Sequence, residues 1–146
     1  MANFVIRRVH PHEEVTIRAL VQTVVDEVYG ATLAGSKISI GEQDWSGAWI
    51  ALSDELIVGV VLTDGEWIDD LWVIRSARGR GIGHQLLVQA EQELASRGFG
   101  LFRLRVIQSN TLAIGFYERH GWQVKRQFPH ETLPVIMLEM VKVNLV

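Results

Sequence analysis

Residues 67–87 read WIDDLWVIRSARGRGIGHQLL and change their hydrophobic period partway along. The first part, residues 67–74, is rich in Trp, Ile, Leu and Val, as β-strands are. From Gly81 the apolar residues recur at helical spacing, and Gly98 marks the end of a predicted helix over 81–97. Another apolar run, residues 101–107, follows the helix, so the two strands can lie parallel. The span therefore predicts a strand–helix–strand unit.

The segments before this unit predict an antiparallel meander. Residues 48–52 and 56–63 are apolar, and the turns at 53–55 and at Asp64-Gly65 separate them from each other and from the next strand. Asp-Gly between apolar runs is a strong hairpin signal. Because a parallel return needs a crossover of about a dozen residues, these three strands must be antiparallel.

The beginning of the chain adds a strand and a helix. Residues 4–9 alternate well enough for a strand, and Pro11 is typical of the first turn of the helix that follows. Gly30 is placed to end that helix in a left-handed conformation, and residues 31–43 read as a loop with room for one helical turn. The apolar face of this helix comprises Ile17, Leu20, Val21, Val24, Val25 and Val28.

The end of the chain completes the fold class. Asn110 is a good N-cap for a short helix to about residue 120, which Gly121 ends. Strands over 122–128 and 135–143 follow. The sequence has no repeat, linker or low-complexity tract, so residues 1–146 are predicted to form a single domain. Together the elements predict an α+β fold, in which helices pack against one mixed sheet.

Composition narrows the classes of protein. The 146 residues are 48% hydrophobic and 21% charged, include no cysteine and carry a net charge of −3. Without cysteine there is no disulfide or cysteine nucleophile, and a cytoplasmic location is expected. The negative charge argues against a nucleic-acid partner, and no apolar run is long enough to span a membrane. The five histidines lack the spacing of a helical zinc pair, so we expect them at the surface and assign no metal.

The turn Arg78-Gly79-Arg80-Gly81-Ile82-Gly83 carries the first chemical signal. Between a strand and a helix, free backbone N–H groups and the positive end of the helix dipole can hold a pyrophosphate. The glycines let the anion approach these amides, and the arginines add positive charge. A dinucleotide fingerprint starting at Gly79 would need glycine where His84 stands, and no Gly-Lys-Ser/Thr sequence follows. The alternative is an ordinary glycine-rich turn.

A second motif lies downstream, in residues 110–122, which read NTLAIGFYERHGW. Arg78, Gly81 and Gly83 match the Arg/Gln, Gly and Gly/Ala positions of the signature of the Gcn5-related N-acetyltransferase (GNAT) family. The second motif looks like the Asn, Ala, Tyr and Gly-aromatic signature of the same family, at the usual distance. The chain therefore resembles this family well over residues 67–122, whereas residues 10–45 match it only in kind.

The resemblance implies a central mixed, mostly antiparallel sheet of about seven strands with about four helices, in which strands four and five splay apart. It also implies acetyl-CoA as the acetyl donor, bound in the splay. An unpaired strand edge offers free N–H and C=O groups along which the two amides of pantetheine can lie. The expected cofactor-binding residues are Trp72, Val73, Ile74, Arg78, Gly79, Arg80, Gly81, Ile82, Gly83, His84, Asn110, Ala113 and Tyr117.

Transfer of an acyl group to an amine needs a proton for the departing thiolate. A phenol with a reference pKa of about 10 can protonate a thiolate whose acid has a pKa of about 8.5, and the resemblance implies this role for Tyr117. Alternatively, Tyr117 beside Phe116 is simply a core residue. Asn110 is either a helix cap alone or a cap that also binds the cofactor.

The acceptor amine must lose a proton, directly or through water, because an amine like that of lysine is protonated at pH 7. The candidate bases are Glu66, Asp69 and Asp70. Strand alternation places Asp69 and Asp70 on opposite faces, so both cannot serve equally, and we favour Asp69. Asp70 would share its face with Ile68 and Trp72. The alternative is a solvated strand end beside a hairpin turn.

The predicted activity is acetyl-CoA-dependent N-acetylation, in which a primary amine of a small molecule or of a protein attacks directly. The alternative from another class is a non-catalytic acyl-CoA sensor with the same cradle, and a domain that binds nucleotide phosphates is a third reading. The sequence names neither the acceptor nor the length of the acyl group. The hydrophobic run over residues 135–143 could extend the sheet across a two-fold homodimer.

Overall fold

The computed structural model describes residues 3–30 and 43–144, which form one seven-stranded sheet with helices on it. The strands are β1 (Val5–Arg8), β2 (Trp49–Ser53), β3 (Leu56–Asp64), β4 (Trp67–Val73), β5 (Leu101–Ile107), β6 (Gln123–Pro129) and β7 (Ile136–Val143). The helices are α1 (Glu14–Tyr29), α2 (Ile82–Ser96) and α3 (Thr111–Arg119), with 3-10 turns at Pro11–Glu13 and Arg75–Ala77. The loop predicted over residues 31–43 lies outside the described residues except for Gln43.

The sheet has the order β1-β2-β3-β4-β5-β7-β6, and all its neighbouring strands are antiparallel except β4 and β5. These two are parallel and pair only at Trp67 with Arg103 and at Ile68 with Leu104, after which they diverge. In contrast, β5 pairs with β7 along all seven of its residues. The predicted mixed, mostly antiparallel sheet that opens between its fourth and fifth strands is confirmed.

The edges of the sheet bear on self-association. β7 lies between β5 and β6, so it has no free edge, and the expectation that residues 135–143 could extend the sheet is wrong. The free edges belong to β1 and β6, and the homodimer stays a prediction. No helix within residues 3–30 and 43–144 combines the length and the hydropathy needed to cross a bilayer.

A bulge interrupts β4 near its middle. The register between β3 and β4 shifts by one residue at Asp69, which has no partner on β3. Two side chains an even number of residues apart therefore lie on opposite faces of the sheet when one precedes the bulge and the other follows it. Ile68 lies in the apolar cluster beneath α2, whereas Trp72 packs against the cluster beneath α1. The prediction that Asp70 shares a face with both is wrong, because it assumed an uninterrupted period of two.

The two long helices cover opposite faces of the sheet. Five of the six residues predicted for the apolar face of α1 are buried, and Val28 is partly exposed. Burial of each such side chain stabilises the fold by roughly 1.5–3 kcal/mol. The buried face of α2 comprises Ile82, Leu86, Leu87, Ala90 and Leu94, as predicted.

Glycines end two of the helices in the predicted way. Gly98 and Gly121 have φ of +89° and +91°, and Gly65 in the Asp-Gly hairpin has φ of +59°. Gly30 differs, because its φ of −54° is right-handed and its N–H still donates to the Asp26 carbonyl. The prediction of a left-handed end at Gly30 is therefore wrong, since the chain continues the helical turn there.

Candidate active site

The glycine turn and the start of α2 form one wall of a cavity of about 860 Å³. Gly79 and Gly81 both have φ of +81°, a left-handed conformation that favours glycine. The N–H of Gln85 donates to the Gly81 carbonyl at 3.1 Å, so the amides of residues 82–84 precede the first hydrogen bond of the helix. The predicted set of free amides at a helix N-terminus therefore lies on the wall of this cavity.

The two arginines of the turn have different partners. Arg78 lines the cavity, and its Nε donates to the Val73 carbonyl at 3.2 Å. Arg80 donates instead to Ser53 Oγ at 2.9 Å and lines a separate cavity beside β1. Arg78 thus adds positive charge beside the free amides, whereas Arg80 ties the turn to the end of β2.

The open edge of β4 supplies the facing wall. The N–H of Ile74 donates to the Val58 carbonyl on β3 at 2.9 Å. Because successive residues of a strand direct their N–H and C=O groups to opposite sides, the groups that face the splay belong to Leu71 and Val73. Both residues line the cavity, as Trp72 does, and Ile74 does not. The sequence alone does not indicate Leu71, because the register of β4 on β3 decides which backbone groups face the splay.

Asn110 caps α3, as predicted. Its Oδ1 accepts the N–H of Ala113 at 3.2 Å, and its Nδ2 donates to the Tyr29 hydroxyl at 2.9 Å. The second bond joins the end of α1 to the start of α3. All three residues line the cavity, and contact of Asn110 and Ala113 with a cofactor stays a prediction.

Tyr117 lies where α3 meets the splay. The residue is 9% exposed, and its ring packs edge-on against Phe116 and Trp122. Its hydroxyl makes no hydrogen bond to any residue that the structure describes, so it is available to a molecule in the cavity. Burial raises the pKa of the phenol, with smaller contributions from Tyr29 and Asp70, so the phenol keeps its proton at neutral pH.

A second cavity, of about 510 Å³, adjoins the first. Asp69 and Asp70 of β4 and Arg105 of β5 bring charge to its wall, and Val25 and Met137 are among its apolar residues. The residues that line both cavities are Tyr29, Leu71, Trp72, Asn110, Ala113 and Tyr117. Tyr117 therefore lies at the junction of the two spaces.

The three candidate bases have different surroundings. Asp69 lines the second cavity with its side chain exposed at the mouth, and partial desolvation followed by repulsion from Asp70 and Asp64 raises its pKa to about 6. Asp70 accepts from Trp72 Nε1 at 2.9 Å and from Gln43 Nε2 at 2.8 Å, so both of its oxygens have protein donors.

Glu66 lies outside both cavities. Its Oε2 is 3.2 Å from Arg103 Nε, and neither cavity includes Glu66 in its wall. Of the three acids, Asp69 alone combines a place in the wall with a carboxylate that makes no hydrogen bond to a described residue.

His130, predicted from the sequence to lie at the surface, is also part of the wall of the second cavity. Its Nδ1 accepts the N–H groups of Thr132 and Leu133 at 3.1 and 3.0 Å. Because Nδ1 already accepts these two N–H groups, that nitrogen is not free to act as a base in the cavity.

One group of possible metal ligands occurs in residues 3–30 and 43–144, at His10, His12 and Glu13. Both carboxylate oxygens of Glu13 accept from Arg7, at 2.9 and 2.8 Å, and one also accepts the N–H of His10. These donors hold the pKa of Glu13 at about 2. The carboxylate is thus already saturated with donors, and the group carries no metal assignment.

Comparison with known proteins identifies the family. The profile of the acetyltransferase (GNAT) family matches residues 18–122, and the chain belongs to this family. It is 39% identical over 77 residues to the peptidyl-lysine N-acetyltransferase YjaB of Salmonella typhimurium, a match that covers 52% of this chain and 50% of that protein. The chain thus spans about half the length of the curated relatives it matches.

Solved structures agree with the fold. A GCN5-related N-acetyltransferase from Rhodopseudomonas palustris superposes with a TM-score of 0.80 at 18% identity, covering 99% of this chain and 98% of that one. The PaiA N-acetyltransferase of Thermoplasma acidophilum, solved in complex with coenzyme A, has a TM-score of 0.72 at 16% identity, covering 97% and 99%. The predicted family and fold class are therefore confirmed.

Proposed function

We propose that this chain is an N-acetyltransferase that uses acetyl-CoA and moves the acetyl group to a primary amine by direct attack. One observation carries the proposal: the Tyr117 hydroxyl, protonated and without a partner among the described residues, lies where the two cavities meet. Such a group is placed to protonate the thiolate of a cofactor bound in the larger cavity when an amine bound in the smaller cavity displaces it.

The residues of the larger cavity fit coenzyme A. The amides of residues 82–84 and the guanidinium of Arg78 suit its diphosphate. The N–H and C=O groups of Leu71 and the N–H of Val73, which face the splay, suit the two pantetheine amides. When bound, acetyl-CoA supplies a thioester carbonyl as the electrophile. Family membership and the coenzyme A complex of a structural neighbour support this assignment.

In the smaller cavity Asp69 acts as the base. With a pKa of about 6 it is mostly ionised at neutral pH, so it is available to accept the proton that the ammonium group of the acceptor loses, directly or through water. The freed amine nitrogen forms the new C–N bond, the C–S bond breaks, and Tyr117 gives its proton to the sulfur. The second proton that the new amide nitrogen loses restores the Tyr117 phenol, directly or through water. Asp70 holds Trp72 and Gln43 in place in this mechanism.

The acceptor is a small-molecule amine or an amino group of a protein. The relative from Salmonella is named for peptidyl-lysine, which is one such amine. The rival function, a non-catalytic acyl-CoA sensor, would keep the larger cavity but leave Asp69 and Tyr117 without a role.

Calorimetry with acetyl-CoA, followed by measurement of free-thiol release across a panel of amines, tests the proposal. We expect saturable binding and amine-dependent release of thiol. Binding without release for every amine would favour the sensor, and tighter binding of ATP than of CoA would favour a nucleotide-phosphate domain.

A further inference from the structure

Arg105 is a cation in the wall of the smaller cavity for which the proposed acetyl transfer has no role. It is the one Lys or Arg among the described residues that line this cavity. Its guanidinium carbon lies 3.9 Å from the centroid of the Trp67 ring, so the side chain is held against an aromatic face. A guanidinium held in this way loses little conformational freedom when it binds a ligand.

The charge of Arg105 is also available. Its neighbour on the same strand, Arg103, pairs with Glu66 at 3.2 Å and with Glu139 at 2.9 Å, and Arg126 of β6 pairs with Glu139 at 3.1 Å. Within the ranges 3–30 and 43–144, Arg105 has no acidic partner within 4 Å and makes no hydrogen bond through its side chain.

The smaller cavity therefore has two poles. Asp69 and Asp70 supply negative charge from β4, and Arg105 supplies positive charge from β5. The positive charge of Arg105 acts on Asp69: it lowers the pKa of this carboxyl, whereas desolvation and the charges of Asp70 and Asp64 raise it. An acceptor that carried only positive charge would meet attraction at one pole and repulsion at the other.

We propose that Arg105 is a specificity-determining residue, which selects acceptors that carry a carboxylate on the same molecule as the reacting amine. The planar guanidinium binds a carboxylate through two parallel hydrogen bonds, while the amine is directed towards Asp69. This inference rests on the proposed acetyl transfer, whose acceptor it narrows to zwitterionic amines. It disfavours polyamines and other acceptors that bear only cations.

Matched pairs of amines test the inference. Each ω-amino acid from β-alanine to 6-aminohexanoate is compared with its carboxamide, which keeps the amine and the chain but removes the negative charge. In the wild-type protein we expect kcat/KM for the acids to exceed that for the amides by about 10-fold or more, the size of one charge-assisted hydrogen-bonded pair.

Arg105→Gln should lower kcat/KM for the acids by about 10- to 100-fold and leave the amides within about 2-fold. Arg105→Lys keeps the charge and should recover part of the loss. Arg126→Gln is the matched control, because Arg126 also lies over an aromatic ring, that of Phe128 at 4.5 Å, but outside the cavity. It should not change the ratio of acid to amide.

Equal activity on acids and amides, or an equal loss of both in Arg105→Gln, would overturn the inference while leaving the transferase intact. Calorimetric titration of the same amines into the CoA-bound protein separates the two proposals. Tighter binding of acids without thiol release would keep Arg105 as the selector and remove the transferase. Binding that ignores the carboxylate would remove Arg105 as the selector whether or not thiol is released.

Discussion

The larger and the smaller cavity differ in what lines them where ligands are proposed to bind. In the larger one the ligand groups are mainly backbone, from the amides of residues 82–84 and the open edge of β4. In the smaller one they are side chains, chiefly Asp69, Arg105 and Tyr117. Binding through backbone groups depends on the conformation of the chain and tolerates changes of side chain. Binding through side chains does not, so a single substitution in the smaller cavity can change which ligand it accepts. The comparison predicts that cofactor binding and acceptor chemistry can be broken separately.

The largest effect is expected at Gly81. Gly81→Glu puts a carboxylate and a Cβ on the residue that precedes the free amides, and we expect CoA affinity to fall by more than about 100-fold, because a like charge replaces an anion-binding site. Calorimetry measures the loss.

Gly98→Glu is the control for strain at Gly81. Gly98 has φ of +89°, against +81° for Gly81, and a Cβ at either position would meet nothing within 4 Å. Each left-handed non-glycine residue costs about 1–2 kcal/mol of stability, so both variants should be destabilised alike. If Gly98→Glu lost CoA affinity as well, strain and not the site would explain the result.

The next effect separates chemistry from binding. Tyr117→Phe removes the proton donor but keeps the ring that packs against Phe116 and Trp122. We expect kcat to fall by about 100-fold, the usual contribution of a positioned acid, with the Kd for CoA within about 3-fold of wild type. An unchanged kcat at saturating amine would remove Tyr117 from the mechanism.

A smaller effect is expected at the base. Because Asp69 must be ionised to accept a proton, wild-type kcat/KM should fall about tenfold per pH unit below its pKa of about 6. Asp69→Asn should abolish this limb and lower the rate at pH 8 by about 30-fold, since water can take the proton less well. Should Glu66→Gln abolish the limb instead, the base would be Glu66.

The same variant should gain stability. The pKa of Asp69 is raised from 3.8 in the unfolded chain to about 6 in the fold, so the folded state pays for ionisation as pH rises through this range. At pH 8, Asp69→Asn should therefore be more stable than wild type by about 1 kcal/mol after solvent screening, or about 3 °C in Tm. The difference should shrink as the pH falls from about 6 to 4 and vanish below about pH 3, where the carboxyl is protonated in both states.

The geometry of the larger cavity, where coenzyme A is proposed to bind, could be predicted from the sequence to a large extent. A left-handed Gly79 and Gly81 next to a helix start need glycine at fixed positions, so the pattern of residues reports the backbone directly. Asn110 is similar, because a helix cap is a local feature of the chain. The register of β4 on β3 was needed only to decide which residues of β4 direct their backbone groups into the splay.

The lining of the smaller cavity, where the acceptor is proposed to bind, was predicted less well. Its wall includes residues from four separate parts of the chain, which line one cavity only because the sheet splays: Tyr29, Gln43, Arg105 and His130. Each looks unremarkable in its own segment: Tyr29, for example, is one more residue on the buried side of α1. The faces of Asp69 and Asp70 were also unpredictable, since no local pattern indicated the bulge.

The bulge in β4 has a consequence for how the hairpin assembles. The bulge at Asp69 places apolar side chains before and after it on opposite faces: Ile68 packs beneath α2, and Trp72 packs beneath α1. A slide of one residue would regularise the ladder, but it would withdraw one of these two from its cluster, at a cost of roughly 1.5–3 kcal/mol. The irregular strand therefore accepts a single alignment with β3, and deletion of Asp69 should harm folding more than its replacement.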